Sequence, residues 1–250
     1  MATMKINKYL DSTYLKTAKQ ANISKQETKQ KVVNLINEAI EHNFVLVMIR
    51  PKFVSLAKKM ITKANAKVTV GTVIGFHEGT KSIKKKLKKA QKAIDNGVDD
   101  LDYVINYEAF KKGDLELVKN EVLLGTKLGL KNQKIVKWII EIAALSNNQI
   151  VEITKLIRTI VVQNFDKKNY KNVFVKSSTG FYKTQDGKPA GATFEAMQLI
   201  VANAKPLSAK AAGGVKNYDD AVKMVNLGVT RIGTSSALKI VQGKQSTENY

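Results

Sequence analysis

Short apolar runs alternate with amphipathic stretches of helical length along the whole chain. A weak β-rich run around Tyr9–Ser12 comes first. Ser24-Lys25-Gln26-Glu27 then reads as a capping box, and Val32, Val33, Leu35, Ile36, Ala39 and Ile40 follow on one side of a predicted helix. Phe44–Ile49 is a predicted strand, and Pro51 suits the first turn of the next helix. Lys67–Ile74 is the third strand, followed by a lysine-rich helix reaching Asn96; Leu101–Ile105 is the fourth, followed by a helix from Asp114 to Leu128. The second half repeats the scheme, with strands at Ile135–Ile140, Asn172–Val175, Leu207–Ala211 and Thr230–Ile232. Its helices are predicted at Asn148–Gln163, Thr193–Ala204, from Asn217 to Leu227, and at Ser235–Val241.

Strands this apolar have no wet face, and strict alternation with helices argues for a parallel sheet. About eight β/α units in 250 residues favour a closed barrel, the TIM (β/α)8 barrel, over an open doubly wound sheet. No Pro/Gly/Ser-rich linker breaks the chain, so residues 1–250 are expected to form one domain with a mobile C-terminal tail, 243–250. No apolar run is long enough to span a bilayer and the N-terminus has no signal-peptide core, so a cytoplasmic protein without a membrane partner is expected. The absence of cysteine excludes disulfides and thiol ligands.

The formal net charge of +21 changes the picture less than its size suggests. All but three of the cationic residues are lysine, the arginines being Arg50, Arg158 and Arg231. Recognition of bases and phosphates favours arginine forks, and no aromatic platform is interleaved with the lysines. The densest run, KSIKKKLKKAQKAI from Lys81, places Ile83, Leu87 and Ala90 at helical spacing with lysines on the remaining faces. It reads first as a solvated helix face, with an electrostatic binding surface as the alternative, and no nucleic-acid partner is expected.

Chemistry in such barrels sits at the C-terminal ends of the strands. Asn172–Lys176 and Leu207–Lys210 both end in lysine, and each is followed by small residues and glycine. Asp100 and Asp102 lie at alternate positions, hence on one face of a strand. A lysine amine is protonated at neutral pH, but burial and a second ammonium nearby both lower its pKa. One of the pair could then attack a carbonyl while a carboxylate shuttles protons through water. The alternative is two structural lysines neutralised by Asp100 and Asp102. Gly213-Gly214 and Gly233-Thr234-Ser235-Ser236 lie between strands and helices where barrels often bind phosphate. Two tight turns with helix caps are the alternative there. The two histidines, His42 and His77, share no ligand-like spacing, so neither a metal nor a cofactor is expected.

With these residues in place, the sequence resembles the deoxyribose-phosphate aldolase family over nearly its whole length. The stretches that carry the resemblance are YLDSTYL (9–15), TVIGFHEG (72–79), GVDDLDYVIN (97–106), FVKSSTGF (174–181), SAKAAGGV (208–215) and RIGTSS (231–236). It implies reversible cleavage of 2-deoxyribose 5-phosphate to acetaldehyde and glyceraldehyde 3-phosphate, with Lys176 as the Schiff-base lysine, Lys210 as the lysine that tunes it and Asp102 as the proton-relay carboxylate. It also implies substrate or phosphate contacts from Asp11, Thr13, Thr179, Gly180, Gly213, Gly214, Gly233, Ser235 and Ser236, and a tail contribution from Tyr250. A homo-oligomer, with a dimer favoured, is expected. Another Schiff-base sugar-phosphate aldolase is the nearest alternative. There are departures: Met48 stands where the family commonly has cysteine, Glu141 is followed by IAAL where a threonine is usual, Ala212 replaces a frequent serine, and the loop YKTQDGKPAG (182–191) is longer than usual.

Overall fold

The computed structural model describes residues 4–184, 187 and 189–243. Each strand is followed by at least one helix. The chain runs β1 (Leu10–Tyr14), α1 (Ala18–Ala21), α2 (Lys25–Glu41), β2 (Leu46–Ile49), α3 (Val54–Lys63), β3 (Thr69–Ile74), α4 (Ile83–Asp95), β4 (Asp100–Val104), α5 (Tyr107–Lys111) and α6 (Leu115–Lys131). It continues with β5 (Ile135–Ile139), α7 (Asn147–Asn164), β6 (Val173–Lys176), α8 (Phe194–Ala204), β7 (Ser208–Ala212), α9 (Tyr218–Leu227), β8 (Arg231–Thr234) and α10 (Ala237–Val241). The strands pair in parallel in chain order, and β8 closes onto β1, giving the TIM-type barrel.

Local chemistry sets several boundaries. Ser24 and Glu27 form the expected capping box at the start of α2, and Ser146 with Gln149 does the same for α7. Asn217 caps α9 through the Asp220 N–H. Pro51 opens a short 3-10 turn, and the α-helix proper begins at Val54. The short helices α1 and α5 were not expected; α5 is capped by the Asn106 side chain, too local a signal to show as periodicity.

Strand alternation divides the core into two shells. Outward-facing Leu10, Val47, Ile49, Val70, Ile74, Leu101, Tyr103, Val136, Trp138, Val173 and Val175 join the layer beneath the helices. Helix α6 approaches that layer closely because it carries glycine there: a Cβ at Gly125 would lie 2.7 Å from the Trp138 ring, and one at Gly129 only 2.2 Å from Val136. Each helical glycine costs about 1 kcal/mol of intrinsic propensity, which the close packing over β5 offsets.

The inward face follows from register. Cα pairing runs Asp11 with Leu46, Met48 with Gly71, Val73 with Asp102, Asp102 with Lys137, Lys137 with Phe174, Lys176 with Lys210, Lys210 with Arg231 and Gly233 with Asp11. All of these therefore point into the barrel. Strands β2 and β3 supply an apolar arc of Leu46, Met48 and Val73. The remaining strands supply charge.

One expectation about the surface is corrected. Lys86, in the lysine-rich helix α4, does not belong to a solvated face; it is fully buried together with Ala90 and Ala93. Its amine donates to the Val104 carbonyl at 2.7 Å and pairs with the buried Glu121 of α6.

Candidate active site

The inner wall assembles seven buried charged groups. Asp102 sits at the centre: its Oδ2 accepts from Lys176 at 2.8 Å and from Lys210 at 3.1 Å, while its Oδ1 accepts from Lys137 at 3.0 Å. Lys137 also pairs with Asp100. Lys210 reaches Asp11 at 2.6 Å, and Arg231 donates to Asp11 at 2.7 Å and lies 3.5 Å from Asp100. All these residues are between 0% and 8% exposed, so their interactions are little screened by solvent. Lys176 ends β6, one residue beyond the expected strand end, and it lies at the mouth of the barrel.

The electrostatics separate the two lysines anticipated from sequence. For Lys176, burial is the largest influence and lowers its pKa; Asp102 pulls the other way, and Lys210 and Lys137 lower it further, to about 8. For Lys210, burial is again the largest single influence, but Asp102 and Asp11 together outweigh it and hold the pKa above the ordinary lysine value. Asp102 is held well below the usual carboxylate range: burial raises it, and Lys137, Lys176 and Lys210 more than compensate. Asp11 is lowered in the same way, burial being overcome by Arg231, Lys210 and Lys137. One amine is thus available as a free base a little above neutral pH, beside a permanent cation and a permanent anion.

Glu141 stands just after β5 in the left-handed region, with φ 58°. Its buried carboxylate accepts the Thr179 N–H at 3.2 Å and the Thr179 hydroxyl. Burial raises its pKa to about 7, against the opposing pull of Thr179 and Lys176. It ties the end of β5 to the loop that follows Lys176.

The remaining expected site residues fall into three groups. Gly180, Gly213 and Gly214 line a cavity of about 750 Å³ together with Lys16, Lys183 and Lys216. Gly213 and Gly214 have φ of 74° and 82°, which turns their backbone at the end of β7. Thr13 and the exposed Ser235 line an adjoining cavity of about 640 Å³, which shares Lys16 and Gln20 with the first. Gly233 and Ser236 are buried: a Cβ at Gly233 would meet the Lys210 Cε at 3.1 Å, and the Ser236 N–H donates to Thr234 Oγ1. Thr179 faces Glu141. Tyr250 lies outside the described residues.

Sequence reasoning missed Lys137, Arg231 and Glu141 as members of the site. Lys137 was visible as a lone charge inside the apolar run IVKWI, and Arg231 as a charge opening β8. Their convergence depends on register, which a linear reading does not supply. Among the described residues, no group of three or more His, Cys, Asp or Glu is arranged to hold a metal ion, and no helix is long and apolar enough to cross a membrane.

A closed parallel barrel with a buried amine of lowered pKa at its mouth is an enzyme architecture equipped for amine–carbonyl chemistry. The comparisons with known proteins point the same way. The chain is 36% identical over 244 residues to the deoxyribose-phosphate aldolase of Thermococcus kodakarensis, covering 97% of this chain and 98% of that protein. It is 34% identical to that of Mycoplasma capricolum over 248 residues, covering 99% of each. The solved structure of a deoxyribose phosphate aldolase from Aeropyrum pernix, described as tetrameric, superposes with a TM-score of 0.74 at 28% identity, covering 95% of this chain and 89% of that one. No protein-family model matches the chain. The chain belongs to the deoxyribose-phosphate aldolase family, and it is accordingly a carbon–carbon lyase.

Proposed function

We propose that the protein cleaves 2-deoxy-D-ribose 5-phosphate reversibly to acetaldehyde and D-glyceraldehyde 3-phosphate, with Lys176 as the covalent amine, Lys210 as the cation that tunes it and Asp102 as the proton relay. The observation that carries this reading is the shared Asp102 Oδ2, which receives both amines while only one of them has a lowered pKa.

The neutral Lys176 Nζ attacks C1 of the open-chain sugar. Loss of water leaves a protonated imine, an electron sink conjugated with the C2–C3 bond. Removal of the C3 hydroxyl proton then lets that bond break: C3 becomes the aldehyde of glyceraldehyde 3-phosphate, and the electron pair passes to C2 as an enamine. Protonation of C2 and hydrolysis of the imine release acetaldehyde and return the amine. Asp102, held ionised, suits a relay that passes protons through water and does not store one. Lys210, held protonated, disfavours a second charge on Lys176 and strengthens its free-base form.

The anionic end of the substrate fits the 750 Å³ cavity. The backbone at Gly214, with the amines of Lys16, Lys183 and Lys216, supplies positive potential there, while the Gly213 N–H is donated to the Gly233 carbonyl and holds the turn in place. Asp11, Thr13, Thr179, Gly180, Gly233, Ser235 and Ser236 complete the surroundings of the substrate in this reading, and phosphate binding holds the reacting end in register with Lys176. The long 182–191 loop contributes much of that cavity wall, so it governs the preference for phosphorylated over neutral sugars. The reaction is assigned to the cytoplasm, and a homodimer is the favoured assembly, which light scattering of the purified chain would check.

Borohydride reduction in the presence of acetaldehyde, followed by peptide mass spectrometry, tests the reading. A reduced two-carbon adduct is expected on the peptide carrying Lys176. Its absence there, or a dominant adduct on another lysine, would overturn the assignment.

A further inference from the structure

The barrel interior carries one more cation than it can neutralise. Strands β4 and β1 provide Asp100, Asp102 and Asp11; strands β5, β6, β7 and β8 provide Lys137, Lys176, Lys210 and Arg231. Strands β2 and β3 add only the apolar Leu46, Met48 and Val73. Glu141, the nearest further acid, directs its carboxylate to Thr179, and burial raises its pKa to about 7, so near neutral pH it offsets only part of the surplus. With these seven groups ionised, four positive charges face three negative ones, all of them buried. The surplus favours loss of a proton from one cation.

The contacts decide which one. Arg231 does not deprotonate in proteins. Lys210 has two carboxylates, Asp11 and Asp102. Lys137 also has two, Asp100 and Asp102. Lys176 has Asp102 alone, through an oxygen that it shares with Lys210. The deficit therefore falls on Lys176, and it does so because Lys137 occupies the other oxygen of Asp102.

We propose that Lys137 is a positioning residue for the reaction: seated one layer below Lys176, it supplies the surplus positive charge and claims Asp102 Oδ1, so that Lys176 is the amine released as free base. This rests on the Schiff-base reading of Lys176 above and adds to it a second tuning cation. Lys137 aligns with Phe174, two residues before Lys176 on β6, and its amine lies 5.7 Å from the centre of the Phe174 ring. It does not reach the mouth, so it acts through Asp102 and through the field it exerts on Lys176, whose pKa it lowers.

The test is the pH dependence of borohydride-trapped adduct formation on Lys176 with acetaldehyde, in the full chain and in three variants. Lys137→Met balances the interior at three charges of each sign, and the trapping midpoint is expected to rise by about one pH unit, leaving about tenfold less free amine at neutral pH. Lys137→Met combined with Asp100→Asn restores the surplus, and its midpoint is expected to fall back toward that of the native chain. Asp100→Asn alone enlarges the surplus and moves the midpoint down. A purely structural role for Lys137 would alter thermal stability and leave the midpoint in place. An unshifted midpoint in folded Lys137→Met, or, should that variant not fold, in Asp100→Asn, overturns the inference and leaves the Schiff-base reading standing. Failure of the native chain to form the adduct at any pH overturns both.

Discussion

Two lysines of this protein are equally hidden from water and have opposite characters. Lys86 and Lys176 are 0% and 3% exposed, and burial lowers the pKa of both. Lys86, however, has Glu121 to itself and a backbone carbonyl at 2.7 Å, and the second oxygen of Glu121 accepts the Asn106 N–H at 2.8 Å. Every charge and lone pair of importance there has a private partner. Lys176 shares a single carboxylate with two other lysines. Burial therefore does not make an amine reactive by itself; the ratio of cations to carboxylates around it does. The first lysine fastens helix α4 to α6 and to the end of β4, and the second is left free to bond to a carbonyl.

Lys176→Met is expected to reduce cleavage of 2-deoxyribose 5-phosphate by more than about 10³-fold while the barrel stays folded. Lys86→Met should leave adduct formation at Lys176 intact yet destabilise the chain by about 3–5 kcal/mol, because Glu121 is left buried without its counter-ion; denaturant unfolding measures this. Adding Glu121→Leu should recover most of that loss. A severe loss of adduct formation in folded Lys86→Met would show that the two lysines are not functionally separate.

Acidity sharpens the contrast. With Lys176 at about 8, kcat/KM is expected to fall about tenfold for each pH unit below that value. A lysine whose folded pKa lies below its ordinary value destabilises the folded state at low pH, and the penalty disappears above the unfolded pKa. Lys176→Met should therefore be more stable than the native chain in mildly acidic solution and lose that advantage in strong alkali. Thermal midpoints across pH would register about 2–4 °C for each kcal/mol recovered. The smallest effect concerns Gly233→Ala, whose new methyl would press on the Lys210 Cε at 3.1 Å; a modest fall in kcat with little change in KM is expected, read from steady-state kinetics.

Much of the barrel was legible because its strands are short, buried and apolar on their outward faces, and its helices are punctuated by strong caps. Val173–Lys176 and Ser208–Ala212 were displaced by only one residue from their expected positions. Lys176, Lys210 and Asp102 could be singled out because a charge ending an apolar strand is conspicuous and because the flanking motifs resemble a known family. Lys137 and Lys86 were hidden by abundance: in a chain so rich in lysine, composition argues that each one is solvated. Which lysine is interior depends on strand register for Lys137 and on the acid facing it from α6 for Lys86, and neither is encoded in a neighbouring stretch of sequence. In the sequence, Glu141 marks only the place where a threonine usual in the family is missing. Its left-handed backbone and its grip on Thr179 exist only once β5 and β6 are side by side.

The Arg231–Asp11 contact joins residues 220 positions apart, across the junction where the last strand meets the first. Strands β1 to β5 bring three acids and one base to the interior, and β6 to β8 bring three bases and no acid. Neither portion can dehydrate its lining alone, since each would trap an uncancelled excess of one sign. Sealing of the barrel and the charge arrangement around Lys176 are thus coupled, because the interior balance exists only once β8 meets β1.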